Sequence, residues 1–339
     1  MKISIITWNV SKENPLPDLS LDAFADIILD CDILAVGLQE VNWSVGRLII
    51  DNATQTDPWS ALFHQFIAKH DMVHISCSWR NKNAVALRLT INQKHITFIS
   101  CHLEAHAEQL AVRYQQYNWI IDSINFDSNA IISNGLVICL GDLNFRVDGV
   151  NSALALQMIN NGDCSELRKY DQLSVAMEGN KAFQHFSEAQ LLFQPSYKFV
   201  IGSSEYDLKR VPSWCDRVLY KLSEAADKDC ANVSDTTTKS CNVLQYGMAM
   251  NLTCSDHKPV FAVLSYKFDL ESTTDESQRD IEFVYPNASE VWLENQNNIC
   301  TFRRFDNFDQ SNFDWIGIYK IVSAELDQCE EFNEMSSEP

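Results

Sequence analysis

The sequence predicts an α/β fold in which two β-sheets pack face to face between outer helices, a four-layer sandwich, followed by a small β module. Three observations carry this. Apolar, Ile- and Val-rich runs recur along residues 1–268 between polar turns, as strands buried between layers do. Stretches of helical period stand between some of them. Around Ile91 to Cys101, however, strand follows strand, which argues against a parallel sheet wound with alternating helices.

In chain order, Ile3–Trp8 opens as a strand; it is too short for a secretory leader and lacks a small-residue cleavage site. Leu21–Leu29 reads as a helix behind the cap Ser20. Strands follow at Ile33–Gly37, Met72–Ser76, Ala84–Leu89 and Ile96–Cys101. Leu103–Ile124 repeats Leu110, Tyr114, Tyr117 and Ile121 on one helical face. Leu136–Leu140 is a strand, Ser152–Ile159 a short helix and Val260–Tyr266 the last strand of this domain. Residues 269–280, DLESTTDESQRD, are acidic and aperiodic and read as a linker. Short apolar runs between Asn- and Asp-rich turns then make 281–325 a partial β module, and 326–339 an acidic tail.

Composition narrows the function. No apolar run approaches the ~20 residues of a membrane span. Eleven cysteines without CxxC spacing fit reduced thiols in the cytoplasm, not a disulfide framework or a zinc site. The net charge is −20, with 17 acidic and four basic residues after Phe268 against 29 and 22 before it. Nucleic acid is an unfit partner for such a chain, which shows no basic stripe. The basic residues that do cluster are Lys198, Lys209, Arg210, Arg217 and Lys258, a local positive pocket suited to a small, highly anionic substrate.

Chemistry-bearing residues gather at the ends of the apolar runs, where α/β folds place ligands. Asn9 ends the first run and Gln39-Glu40 the second. Cys101-His102 ends the fifth, with His106 four residues on. Gly141-Asp142-Leu143-Asn144 follows the sixth, and Asp216-Arg217 and Asp256-His257 precede the last two. Any one of these is ordinary turn chemistry. Six run-ends that each offer a carboxylate, amide or imidazole are not. Carboxylates with an amide suit Mg²⁺, and the remainder supplies a base, its orienting carboxylate and phosphate donors, a set suited to metal-assisted phosphoester hydrolysis.

The segments TWNV (Thr7–Val10), GLQE (Gly37–Glu40), CHLEAH (Cys101–His106), GDLNFR (Gly141–Arg146), PSYKF (Pro195–Phe199), KRVPSWCDRVLY (Lys209–Tyr220) and SDHKPV (Ser255–Val260) resemble, in this order, the inositol polyphosphate 5-phosphatases. These form a branch of the Mg²⁺-dependent endonuclease/exonuclease/phosphatase superfamily. DWIGIYK (Asp314–Lys320) resembles the signature of the SKICH β-sandwich that follows the catalytic domain in one group of them. The resemblance implies that Glu40, Asn9 and Asp256 serve the metal. It makes His257 the catalytic histidine, with Asp216 orienting it, Asp142 activating water and Asn144 and His102 at the reacting phosphate. His106, Tyr197, Lys198, Lys209 and Arg210 would bind substrate, with Arg217 beside them. The implied activity is Mg²⁺-dependent removal of the 5-phosphate from phosphatidylinositol 4,5-bisphosphate and 3,4,5-trisphosphate, and from soluble inositol polyphosphates. A cytoplasmic protein in peripheral contact with membranes follows, with a protein partner expected at the β module.

The chain departs from the family pattern in places. It has Arg80-Asn81-Lys82-Asn83 where Gly-Asn-Lys-Gly is usual and SKENP after TWNV, and it is shortened between Phe66 and Arg80, where a strand pair is missing. Two readings compete with the main one. A superfamily relative acting on another phosphodiester would share the metal and histidine residues but would not need Lys198, Lys209 and Arg210. An inactive scaffold would follow if the shortening impaired the catalytic fold.

Overall fold

A computed structural model describes residues 1–25, 31–42, 58–68, 72–80, 84–91, 94–123, 135–222, 240–267, 282–283 and 313–321. Two six-stranded sheets form the body. The first runs β3 (Met72–Arg80), β12 (Phe313–Ile321), β2 (Ile33–Val41), β1 (Lys2–Asn9), β10 (Val260–Lys267) and β9 (Ser240–Met248). The second runs β11 (Glu282–Phe283), β4 (Ala84–Ile91), β5 (Lys94–His102), β6 (Gly135–Asp142), β8 (Asp216–Leu222) and β7 (Ser187–Glu188). Both sheets are mixed: β1 lies parallel to β2 and antiparallel to β10, β5 parallel to β6 and antiparallel to β4.

The pleat explains the layers. Successive strand residues point to opposite faces, so Ile3 and Ile5 of β1 meet Leu87, Phe98, Ile138 and Leu140 between the sheets. Ile6 and Trp8 point the other way and pack under α1 (Pro58–Ala68), which buries Trp59, Phe63 and Phe66 at helical spacing. The Trp8 and Trp59 rings meet edge to face at 4.8 Å. On the outer face of the second sheet, α2 (Leu110–Ser123) lays Tyr117 and Ile120 on Ile99, Val137 and Cys139. Each large apolar side chain buried this way stabilises the fold by about 1.5–3 kcal/mol. Of two short helices, α3 (Ser152–Asn160), capped by Asn151, buries Ala155 and Ile159 in a separate cluster with Trp214, and α4 (Gln172–Glu178), capped by Asp171, adds Leu173 and Ala176 to the α2 layer.

Three differences from the sequence reading stand out. The helix expected from Leu103 is regular only from Leu110. Residues 103–106 are held open instead, because Leu103 N–H donates to Asp142 O and the Arg113 guanidinium binds the carbonyls of Glu104 and His106. Around Ser20, Leu21–Phe24 forms a 3₁₀ turn, and 26–30 lie outside the described residues. The largest difference concerns 281–325. Its two described pieces pair into the main sheets: β11 with β4, and β12 antiparallel to both β2 and β3. A separate sandwich is not what these pieces form. The near-continuous apolar run of DWIGIYKI suits a strand with neighbours on both sides. The linker 269–280 and the tail 326–339 lie outside the described residues.

Candidate active site

Topology brings the polar run-ends together. Asn9, His102 and Asp142 are the last residues of β1, β5 and β6, Glu40 the penultimate residue of β2 and Asp216 the first of β8. Asn9 is level with Gln39, His102 with Asp142, and Asp142 with Asp216. Because β10 runs antiparallel to β1 and starts opposite Thr7, the loop carrying His257 reaches the same end. One rim therefore gathers residues up to 249 positions apart, such as Trp8, whose indole N–H donates to His257 O at 3.0 Å.

At the centre, Asn9 Nδ2 donates to Asp142 Oδ2 at 2.9 Å and to Glu40 Oε1 at 3.3 Å. His102 Nε2 stands 3.7 Å from both of those carboxylates. Glu40, His106 and Asn144 all have left-handed backbones, with φ of 58°, 71° and 56°. Such conformations are costly for these residues and gather where side chains must be aimed. Gly141 has φ 139°, and a Cβ there would lie 1.9 Å from Cys101 O, so only glycine admits the close strand approach before Asp142.

Beside this cluster His257 Nδ1–H donates to Asp216 Oδ2 at 2.9 Å, and Ser196 Oγ donates to the same oxygen at 2.7 Å. The pair joins residues 41 positions apart, as the sequence reading expected. His257 Nε2 faces Asp142 Oδ2 at 3.9 Å, too far for a hydrogen bond. Burial alone would lower His257, but Asp216 and then Asp142 outweigh it and raise its pKa to about 9. Burial pushes Asp142 up, yet His257, His102 and Arg146 hold it below the ordinary carboxylate range. Asp216 goes the other way: burial lifts it against the pull of His257. The two carboxylates thus have opposed shifts about one imidazolium.

Next to the rim lies a cavity of about 240 Å³ lined by His106, Arg146, Tyr197, Lys209, Arg210 and Ser213, among others. Four expected substrate residues, His106, Tyr197, Lys209 and Arg210, share it. Three other basic residues do not. Lys198 donates to Asp256 Oδ2 at 2.7 Å, and Asp256 also accepts from Ser11 Oγ. Those bonds engage the Asp256 carboxylate, which the sequence reading gives to the metal side, with Lys198 and Ser11. Arg217 is wholly buried and held by Asp171 at 2.9 Å and Glu188 at 2.6 Å, so it braces β8 within the fold. Lys258 is buried too, donating to the carbonyls of Ser203 and Leu252. Two contributors escaped the sequence reading: Ser196, visible only through its contact with Asp216, and Arg146, which sits inside GDLNFR.

A divalent cation fits this chemistry. Glu40 and Asp142 offer hard oxygen donors around the Asn9 amide, without a thiolate among them. Asp142, Asp216 and His257 also bring donor atoms within 4.8 Å of one another. Asp216 Oδ2 and His257 Nδ1 are already engaged with each other, however, so the Glu40–Asn9–Asp142 side is the better holder.

The chain matches the model of endonuclease/exonuclease/phosphatase family 2 over residues 75–263. It is 28% identical to mouse inositol polyphosphate 5-phosphatase K over 364 residues, covering 95% of this chain and 76% of that protein. Identity to the Arabidopsis thaliana type IV inositol polyphosphate 5-phosphatase 11 is 30% over 301 residues, 78% of this chain and 83% of the relative. The mouse phosphatidylinositol 4,5-bisphosphate 5-phosphatase A aligns at 27% identity over 363 residues, 94% of this chain, but the chain spans only 35% of its length. Among solved structures, the 5-phosphatase domain of SPsynaptojanin, in complex with inositol (1,4)-bisphosphate and a calcium ion, superposes with a TM-score of 0.61 at 25% identity. That match covers 78% of this chain and 83% of the other.

Proposed function

The chain belongs to the endonuclease/exonuclease/phosphatase family, among the inositol polyphosphate 5-phosphatases, and from that membership we propose that it hydrolyses the 5-phosphate of phosphoinositides and of soluble inositol polyphosphates with Mg²⁺. One observation carries the reading above all: the Asp216–His257 pair and the Glu40–Asn9–Asp142 cluster converge beside a cavity whose charged lining is cationic.

Glu40, Asn9 and Asp142 would hold the metal, which when bound neutralises charge on the phosphoryl oxygens. His257, kept protonated at neutral pH by Asp216 and Asp142, presents Nε2–H to the transferring phosphoryl group. Asp216 fixes the ring by accepting from Nδ1, and Ser196 fixes Asp216. Asp142, held ionised, is the group to orient the attacking water, in line with the departing inositol oxygen. His102 and Asn144 stand beside Asp142 to hold the reacting phosphate. Donors set in advance around developing charge are each worth about 10²–10³ in rate. Lys209, Arg210 and Tyr197 would read the neighbouring 4-phosphate from the cavity wall. The substrates in view are phosphatidylinositol 4,5-bisphosphate and 3,4,5-trisphosphate, met by a cytoplasmic chain at a membrane surface. Kinship with the SKICH-bearing group and a protein partner at the C-terminal segment belong to the same proposal.

The test is phosphate release, with Mg²⁺ and with EDTA, from a panel of inositol phosphates and vesicular phosphoinositides. Release confined to 5-phosphorylated substrates, and abolished by EDTA, is expected. Cleavage of a diester such as sphingomyelin in preference to every inositol phosphate would overturn it.

A further inference from the structure

The loop that carries His257 has a backbone tied on two sides. Asp256 O accepts from Phe199 N–H at 2.9 Å, and Lys258 N–H donates to Ser196 O at 2.9 Å. The flanking residues are thus bound to the segment 196–199, whose Ser196 also holds Asp216. The main-chain groups of His257 point the other way, as alternation along an extended segment leads one to expect. Its C=O accepts from the Trp8 indole at 3.0 Å, and its N–H donates to Ser255 Oγ at 3.1 Å.

Ser255 is wholly buried. Its hydroxyl accepts from His257 N–H, donates to Asn9 O at 2.6 Å and lies 3.0 Å from Ser11 Oγ. Asn9 is the residue whose amide joins Asp142 and Glu40 on the metal side. Its Oδ1 is fixed separately, by Ser11 N–H at 2.9 Å. A buried serine needs a partner in any fold. The partners here are the main chains of two site residues, and 246 positions separate Ser255 from Asn9. One oxygen therefore links the backbone of the metal-side amide to the backbone of the histidine. Trp8, from the same strand end as Asn9, is the second tie.

We propose that Ser255 is a positioning residue: its hydroxyl sets where His257 stands relative to the metal side of the rim, without touching substrate. It rests on the 5-phosphatase reading only for the reaction in which the effect on rate is measured. In Ser255→Ala, Asn9 O and His257 N–H both lose a partner in a buried place, which favours a shift of one main chain against the other. The Trp8 indole still holds His257 O, and Asp256 and Lys258 still pair with 196–199, so the loop keeps its place in the fold. What loosens is the spacing between His257 and the Asn9–Asp142 pair. A misplacement of about 1 Å at a reacting centre lowers rate about 10²-fold.

Two readouts test this, one of them without turnover. In metal-free protein, NMR follows solvent exchange of the Trp8 indole N–H, assigned through Trp8→Phe, well below the melting temperature. Ser255→Ala should speed it at least about tenfold. The Trp214 indole N–H, which donates to Phe193 O away from this loop, should not change. In steady state with Mg²⁺, Ser255→Ala should lower kcat about 10–100-fold, with KM and the Mg²⁺ midpoint within about threefold of wild type. Ser255→Cys keeps a weak donor and acceptor and should fall between the two. Unchanged Trp8 exchange, equal acceleration at Trp8 and Trp214, or kcat within about twofold of wild type would overturn the proposal and leave Ser255 a structural serine. Should Ser255→Ala fail to fold, Ser255→Cys decides on the same readouts. A wild type that releases no 5-phosphate would sink the function reading, and the exchange of the two indoles would then decide this inference by itself.

Discussion

Replacing Asp216 with Asn tests the centre of the site, because it removes one charge and almost no volume. In the wild type the carboxylate accepts from His257 Nδ1–H at 2.9 Å and from Ser196 Oγ at 2.7 Å. Burial works against the imidazolium, yet Asp216 and Asp142 lift it from 6.5 to about 9, a gap worth about 3 kcal/mol. Asp216 is the foremost of the raising groups, so Asp216→Asn should bring the His257 pKa below about 8. The sign of the stability effect follows. A histidine whose folded pKa is raised contributes stability that is complete below pH 6.5 and disappears as pH climbs through about 9. Metal-free wild type should therefore melt at lower temperature at pH 9 than at pH 6.5, and the variant should lose less over the same interval. Turnover with Mg²⁺ should fall about 10³-fold or more, as when a carboxylate that orients a catalytic histidine becomes an amide. Ring-proton titration of His257 in EDTA and calorimetry at the two pH values are the assays. An unchanged His257 titration in Asp216→Asn would refute the electrostatic argument, whatever happened to the rate.

Glu40→Gln should leave the metal-free melting temperature within a degree or two but abolish its rise on adding Mg²⁺, with turnover down about 10²-fold or more; an undiminished Mg²⁺ shift would place the ion elsewhere. Neutralising Lys209 and Arg210 together should lower kcat/KM for a 4,5-substituted substrate about 10–100-fold and spare one lacking the 4-phosphate, since only the former loses a charged partner; equal losses would reduce the two to general attraction. Arg217→Met should cost about 3–5 kcal/mol in denaturant unfolding by stranding Asp171 and Glu188 without their cation. Its folded fraction should retain wild-type kcat, and a kcat loss at full folding would return Arg217 to the substrate.

The two packed sheets were legible in the sequence, and so were the polar residues at the ends of its buried runs. Asn9, Glu40, His102, Asp142, Asp216 and His257 each end or begin a buried run, and the sheets bring those ends to one rim. Charge alone does not show what the fold adds: Lys198, Arg217 and Lys258 look like a basic mouth in one dimension, and in the fold each also has a partner of its own. Sequence spacing has no access to such partners, because Lys198 and Asp256 lie 58 residues apart and Arg217 and Asp171 46. Arg146 shows the converse: it lies within a quoted motif, but its seat 4.3 Å over the Tyr197 ring is a property of the folded interior only.

The same contrast bears on the segment between Phe66 and Arg80, where the sequence reading expects a shortening. That region falls on β3, which takes part in the first sheet through β12 and touches neither β1 nor β10. Every other site-bearing strand, β1, β5, β6 and β8, has its partners elsewhere. Only β2 is shared: β12 pairs with it from Lys320 opposite Ile33 to Trp315 opposite Leu38, then shifts so that Phe313 faces Val41. Gln39 and Glu40 thus stand against the single residue Asp314, the two-against-one count of a β-bulge, and Glu40 adopts φ 58° there. A bulge re-aims the side chain it carries. In this chain, then, the backbone that turns the Glu40 carboxylate toward Asn9 is bracketed by a strand more than 270 residues later in the sequence. The segment that the sequence assigns to a separate module thus pairs with the strand that carries Glu40.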